Sequence, residues 1–317
     1  MDICIGREHP EAMTSIRVLG AGLAVVLLWA SAFPAIRVAA PELGVIGLSF
    51  VRLVVAAIAL LVLAPVLKVR LPARRDIPLI VACAFFGMAA YQLLLNWGEL
   101  DVPAGTASII VAAAPLVSIV IAAIAFGERS SLVRIVGSGI AVAGVAMVCL
   151  ARAQLSLSTS VWIVVAAMVV QGIYHPLTRP LLRRYTGVEV TTYCMVVGTV
   201  MTLPAVPWGW DQMQHADPSA WAAAVYLGLL PSALGFAIWG YAVARLPVVT
   251  STALLYLVPP VAVGIAWVWL GELPVASELV GGAVVIVGVV VIAQGARLVD
   301  AIRGARAPVP FAEQQRR

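Results

Sequence analysis

Apolar residues run along this chain in stretches of roughly 20, the length a helix needs to cross a hydrocarbon core of about 30 Å at 1.5 Å per residue. Ten such stretches predict ten transmembrane helices, over residues 18–39, 44–65, 77–98, 103–126, 132–150, 161–181, 189–207, 220–243, 249–270 and 279–296. The links between them are too short to hold a soluble domain. Residues 1–17 are left as a polar tail and 297–317 as a basic one. Arg17 followed by VLGAGLAVVLLWASA has the outline of a secretory leader, but the apolar pattern continues through Phe33-Pro34-Ala35-Ile36 and nine more stretches follow. The segment is therefore read as the first span.

The stretch PAGTASIIVAAAPLVSIVIAAIAFGE, Pro103 to Glu128, occurs again as PVVTSTALLYLVPPVAVGIAWVWLGE, Pro247 to Glu272. One offset of 144 residues aligns Pro103 with Pro247, Thr106 with Thr250, Pro115 with Pro259 and Gly127-Glu128 with Gly271-Glu272; it carries on to Gly137 with Gly281 and Gly144 with Gly288. Apolar composition alone does not put prolines, glycines and a lone acid into one register. The chain is thus an internal duplication, with repeat 1 over 18–150 and repeat 2 over 151–296. Pro34 and Arg37 also match Pro176 and Arg179, here 142 apart. Five spans per repeat is an odd number, so the second repeat enters the membrane in the opposite sense. The fold class expected is all-α integral membrane, ten transmembrane helices as two inverted-topology five-helix repeats, an arrangement found in secondary transporters with a midplane site between the halves.

Composition agrees, with 62% hydrophobic and 11% charged residues where a soluble domain carries about 25% charged. Of 20 Lys and Arg residues, Arg37 and Arg52 fall inside spans and Arg152 alone falls on the side opposite the rest. That asymmetry puts both termini in the cytoplasm of a multi-pass cell-membrane protein, with the links around Glu42, Asp101, Asp211 and Glu272 outside. The net charge of +5 is then a topology signal and not a sign of a nucleic-acid partner; the basic tail after Arg297 suits contact with anionic membrane lipids. Four scattered cysteines have no metal or redox spacing and read as small packing residues.

Candidate chemistry lies where polar or aromatic side chains interrupt apolar spans. Gln92 and Asn96 are four apart in the third span, and Gln171, Tyr174, His175, Thr178 and Arg179 cluster in the sixth. Polar groups in hydrocarbon are costly unless paired, so these face either a partner helix or a wet cavity. Trp29 with Phe33, and Phe236 with Trp239, are pairs at helical spacing set deeper than the other tryptophans, which suit an interfacial belt. Trp29, Phe33, Gln92, Asn96, Gln171, Tyr174, His175, Phe236, Trp239 and Tyr256 are taken as the lining of a substrate cavity, mostly apolar with a few polar groups. Arg52 lies deep enough to meet an anionic group of the substrate, and His175 is the titrating candidate if transport is coupled to protons. Arg37 and Arg179 lie near opposite edges, where a long side chain can reach the interface. Glu128 and Glu272 each precede a helix, whose free N–H groups favour a carboxylate there. Gly137 and Gly144, like Gly281 and Gly288, mark a close packing seam, either between the repeats or between the subunits of a homodimer.

The segments WASAFPAIR, Phe50-Val51-Arg52, the two proline-to-Gly-Glu helices and WGYAVARLPVVTSTALLYLVPP resemble the drug/metabolite transporter superfamily of the EamA-domain type. The likeness spans about 18–296, and it implies a ten-helix carrier of small metabolites, often an exporter of amino acids or related compounds and drugs, working by alternating access. No cofactor and no metal is expected. Repeat 2 has Tyr193-Cys194 where repeat 1 has Arg52, so any role of that arginine is asymmetric. A membrane-embedded enzyme is disfavoured because His9, His175 and His215 are far apart and no HExxH spacing occurs. A channel or non-transporting structural subunit is the remaining alternative.

Overall fold

The computed structural model describes residues 10–114, 116–118, 120–121, 132–151, 159–243 and 257–305, and every regular element among them is helical. Five described stretches are long and apolar enough to cross a membrane: Gly20–Leu63, Arg74–Gly98, Thr159–Leu182, Gly187–His215 and Pro218–Trp239. Shorter apolar helices run over Ala104–Ser118, Val136–Met147, Val258–Leu270 and Ala276–Gly288.

Helix α1, Pro10–Leu63, takes in both of the first two predicted spans as two arms that meet at Gly44. With φ 69° and ψ 164°, Gly44 turns the chain in a single residue, a conformation that a side chain disfavours. The expected link at 40–43 is therefore a corner inside one helix. The helix also begins at Pro10, within what the sequence reads as a polar tail, since proline is pre-set for a first helical position.

The third span is built as α2 (Ile77–Ala84), a π-helical turn over Phe85–Ala90, and α3 (Tyr91–Gly98). After α4 (Ala104–Val111) come α5 (Leu132–Ala151), α6 (Thr159–Leu182) and α7 (Gly187–Thr202). A capping box opens α7: Thr186 accepts from the Glu189 N–H and Glu189 accepts from the Thr186 N–H. The predicted end of this span at 207 is not an end: after a 3-10 turn over Leu203–Ala205, which holds Pro204, α8 (Val206–His215) carries on. Asp211, expected in a link, is helical. In repeat 2 the counterpart of the third span is α9 (Pro218–Leu227), a second π-helical turn over Gly228–Leu234, and α10 (Gly235–Val243). Pro231 lies inside that turn and cannot supply an α-helical N–H. Helices α11 (Val258–Leu270) and α12 (Ala276–Ala305) complete the described chain.

The glycine seam joins the repeats. A Cβ on Gly144 of α5 would lie 2.6 Å from Val285 N and 2.8 Å from Gly281 O of α12; one on Gly288 would lie 2.5 Å from Ala141 N and 2.7 Å from Gly137 O. Backbone meets backbone, which only glycine permits at these two points. Gly144 faces residues near 281–285 while Gly288 faces residues near 137–141, so α5 and α12 run antiparallel. The face that the sequence left open to a second copy of the chain is covered by the other repeat.

Candidate functional site

A cavity of about 710 Å³ lies between the repeats. Arms one and two of α1 give it Trp29, Phe33 and Arg52; α3 gives Tyr91 and Leu95, α4 gives Ser108, α6 gives Gln171, Tyr174, His175 and Thr178, and α10 gives Phe236 and Trp239. At one end it reaches Leu182, Tyr185, Thr186, Gly187 and Val188, where α6 passes into α7. At the other it stops at Ile36 and Leu95, a helical turn short of Glu99.

Eight of the residues assigned to the site from the sequence therefore share one cavity: Trp29, Phe33, Arg52, Gln171, Tyr174, His175, Phe236 and Trp239; Thr178 of the same polar cluster joins them. Gln92 and Asn96 do not line it. Both are buried, at 3% and 0% exposure, and Asn96 donates to Ser49 Oγ at 2.8 Å across to the second arm of α1. The cavity face of α3 is Tyr91 and Leu95, one residue back from the amide pair and hence about 100° round the helix. Tyr256 lies outside the described residues.

The second π-helical turn organises the walls. It turns the Pro231 carbonyl to Trp29, whose Nε1 donates to it at 3.1 Å, and the Ser232 hydroxyl to Arg52, whose Nε donates to it at 3.0 Å. Trp29 then packs on Phe236 and Trp239 at ring-centroid distances of 5.2 and 5.4 Å. Gly235 is small because a Cβ there would lie 2.9 Å from Trp29 Nε1. Opposite in the repeat, Gly87 of the first π-helical turn leaves room for the ring of Tyr174. Arg52 is 6% exposed, and its Nη1 has no hydrogen-bond partner among the described residues. A guanidinium placed so deep is costly unless its donors are paired.

Beyond the cavity floor, Arg37 does more than reach for the interface. Its Nη1 donates to the carbonyls of Glu99 and Leu100, both at 2.6 Å, and its Nε to Glu272 Oε1 at 3.2 Å. Glu272 Oε2 in turn accepts from the Ala104 N–H at 2.9 Å. The carboxylate thus does sit at a helix start, but at that of α4 in repeat 1 rather than the helix that follows it in sequence. Nearby, Thr106 donates to Glu278 Oε1 at 2.5 Å. Glu128 lies outside the described residues. Glu99 itself, overlooked in the sequence because it directly follows a span, is 0% exposed.

The far end carries a second set of ties. Arg70 donates through Nε to Glu189 Oε1 at 2.7 Å, Arg184 pairs with Asp76, and the Tyr185 hydroxyl donates to Asp76 Oδ2 at 2.8 Å. The Glu189 carboxylate holds the Arg70 guanidinium above its ordinary range.

Comparison with known proteins gives these residues a context. The EamA-like transporter family matches the chain twice, at residues 16–150 and 158–294. A probable terminal-alkyne amino-acid exporter of Streptantibioticus cattleyicolor is 55% identical over 267 residues, covering 84% of this chain and 90% of that protein. The uncharacterized transporter YdfC of Bacillus subtilis is 33% identical over 263 residues, covering 83% and 86%. A solved crystal structure, at 17% identity, superposes with a TM-score of 0.61 over 89% of this chain and 98% of that one, which is a likeness of fold.

Proposed function

The chain belongs to the EamA-like transporter family, and from that premise we propose that it exports an amino acid with a short apolar side chain, by alternating access around the aromatic cavity. Transport of small molecules across a membrane follows from the family and from relatives that are transporters. The observation that carries the substrate class is Arg52, a buried guanidinium with one unpartnered nitrogen among the described residues, in a side chain that lines a cavity walled by Trp29, Phe236 and Trp239. A carboxylate would satisfy the guanidinium by a charge-assisted pair, and the aromatic wall would take the apolar side chain. His175 and Thr178 offer polar atoms to the ammonium group. A relative named for terminal-alkyne amino acids fits this division of labour.

The finer architecture is ten spans in two inverted repeats of five, a reading favoured by the antiparallel run of α5 against α12. Lys68, Arg70, Arg74, Arg75, Arg183 and Arg184 assign their end to the cytoplasm. The cavity then reaches the cytoplasmic side through Tyr185–Val188, and the Arg37–Glu272 tie closes the external side.

The test is counterflow of labelled propargylglycine, a terminal-alkyne amino acid, in proteoliposomes. Saturable exchange is expected, and Arg52→Gln should raise KM about 10- to 100-fold, the loss of one charged hydrogen bond. No exchange by the wild type, or an unaltered KM in a folded Arg52→Gln protein, would remove the proposed substrate class.

A further inference from the structure

The cavity floor adjoins a carboxyl to which transport as described so far gives no task. Glu99 is fully buried, and neither carboxyl oxygen has a hydrogen-bond partner among the described residues. Its backbone carbonyl, by contrast, is gripped by Arg37 at 2.6 Å. Among the described residues, the charged and titratable groups near the carboxyl are Arg37 and Arg52 from the two arms of α1, Glu272 just past the end of α11, and Tyr91 on its own segment. Burial pushes the Glu99 carboxyl well above the usual carboxylate range, opposed by the charges of Arg37 and Arg52.

These neighbours give the acid a consequence. A neutral Glu99 leaves Arg37 to Glu272, as seen here. An ionised Glu99 adds a second carboxylate beside the same guanidinium, with no donor of its own to satisfy it. It must then compete with Glu272, which simultaneously holds the Ala104 N–H at the start of α4. Moving Arg37 toward Glu99 weakens the tie that joins α1, α11 and α4 at this end.

We propose that Glu99 is a proton-binding site that sets the Arg37–Glu272 tie, closed when Glu99 is protonated and loosened when it is ionised. The proposal rests on the transporter reading above. The step is a proton transfer only: the carboxylic acid gives its proton to water and the resulting carboxylate takes Arg37 as counter-ion; reprotonation from water returns Arg37 to Glu272. With the tied end external, a proton taken up there closes that side. Leu95 on the cavity floor lies one turn before Glu99, so release toward the cavity lets the tie loosen again. Inward protons then alternate with outward substrate.

Two measurements test this. In proteoliposomes, wild-type protein should concentrate labelled propargylglycine against its gradient when a pH difference is imposed. Glu99→Gln should lose that response while exchange at equal pH stays measurable, and Glu99→Asp should restore it. A Glu99→Gln protein that still accumulates label in response to the pH difference overturns the proposal. Infrared difference spectra between neutral and alkaline buffer need no substrate. The wild type should lose the carbonyl stretch of a buried, unbonded carboxylic acid, and Glu99→Gln should lack that band; its absence from the wild type also overturns the proposal. If the wild type exchanges no propargylglycine but shows the band, the substrate class fails and the proton site stands. If Glu99→Gln does not fold, Glu99→Asp should shift the pH at which the band is lost, and an unshifted band assigns it elsewhere.

Discussion

At the end marked by Arg37, Glu99 and Glu272 the ties join α1 to the segments that follow α3 and α11, whereas at the Arg70 end they join the segment before α2 to Arg184, Tyr185 and the start of α7. Exposure divides them unevenly. Arg37 and Glu272 are 26% and 19% exposed; at the Arg70 end the cations are the more exposed, 63% for Arg70 and 49% for Arg184, while their acids Glu189 and Asp76 are buried at 3% and 5%. An exposed guanidinium exchanges its partner for water at little cost, and Glu189 also holds the Thr186 N–H, so this end keeps its ties without a competing acceptor in view. At the other end the buried carboxyl of Glu99, unpartnered among the described residues, lies near Arg37 as a rival to Glu272. On the proposal above, that rival acceptor is what makes one end a gate and the other a fastening.

The most drastic way to erase this contrast is to lever the repeats apart between the two ends. Gly144→Leu puts a side chain into the backbone of α12 and should destabilise the protein by about 3 kcal/mol or more, seen as lost folded yield and a lower melting temperature in detergent. Melting like the wild type would show that the seam yields without cost. Next in size is Glu272→Ala, which strands Arg37 Nε and the Ala104 N–H and should cost about 1.5–3 kcal/mol. Adding Arg37→Ala should cost less than its effect alone, because the two side chains act as one unit. Arg70→Ala should lower the melting temperature less than Glu272→Ala does, because Glu189 keeps the backbone N–H groups of Thr186 and residue 70 as donors. An Arg70→Ala protein as unstable as Glu272→Ala would collapse the distinction between the ends. Gentlest of all is labelling from outside with an impermeant thiol reagent: Asp101→Cys should react and Arg183→Cys should not, and the reverse would exchange gate and fastening.

Much of the architecture could be read from residues that have one structural use. Gly137, Gly144, Gly281 and Gly288 in a single register announced a close contact, and the deep pairs Trp29–Phe33 and Phe236–Trp239 do share a cavity. What could not be read is how spans turn toward one another. Gln92 and Asn96 share a helix face by spacing, but whether that face meets Ser49 or the cavity depends on α1 and on the π-helical turn that precedes α3. That turn has no proline to betray it, unlike its counterpart at Pro231. Glu99 escaped for a related reason. A hydropathy boundary at Gly98 assigns the next acid to water, whereas contacts from other spans, among them Arg37 on its backbone carbonyl, enclose that residue.

The seam between α5 and α12 is also a record of ancestry. Gly144 meets Gly281 and Val285, Gly288 meets Gly137 and Ala141, and the same offset of 144 exchanges each residue with its counterpart in the other helix. Such a contact is isologous: one patch serves as both halves of its own lock. A single ancestral unit would already have possessed this patch, and on the proposed inverted topology two copies would dock through it. Fusion into one chain would then require no new interface, and it would leave the two halves free to diverge: here one carries Arg52 and the other the serine that holds it.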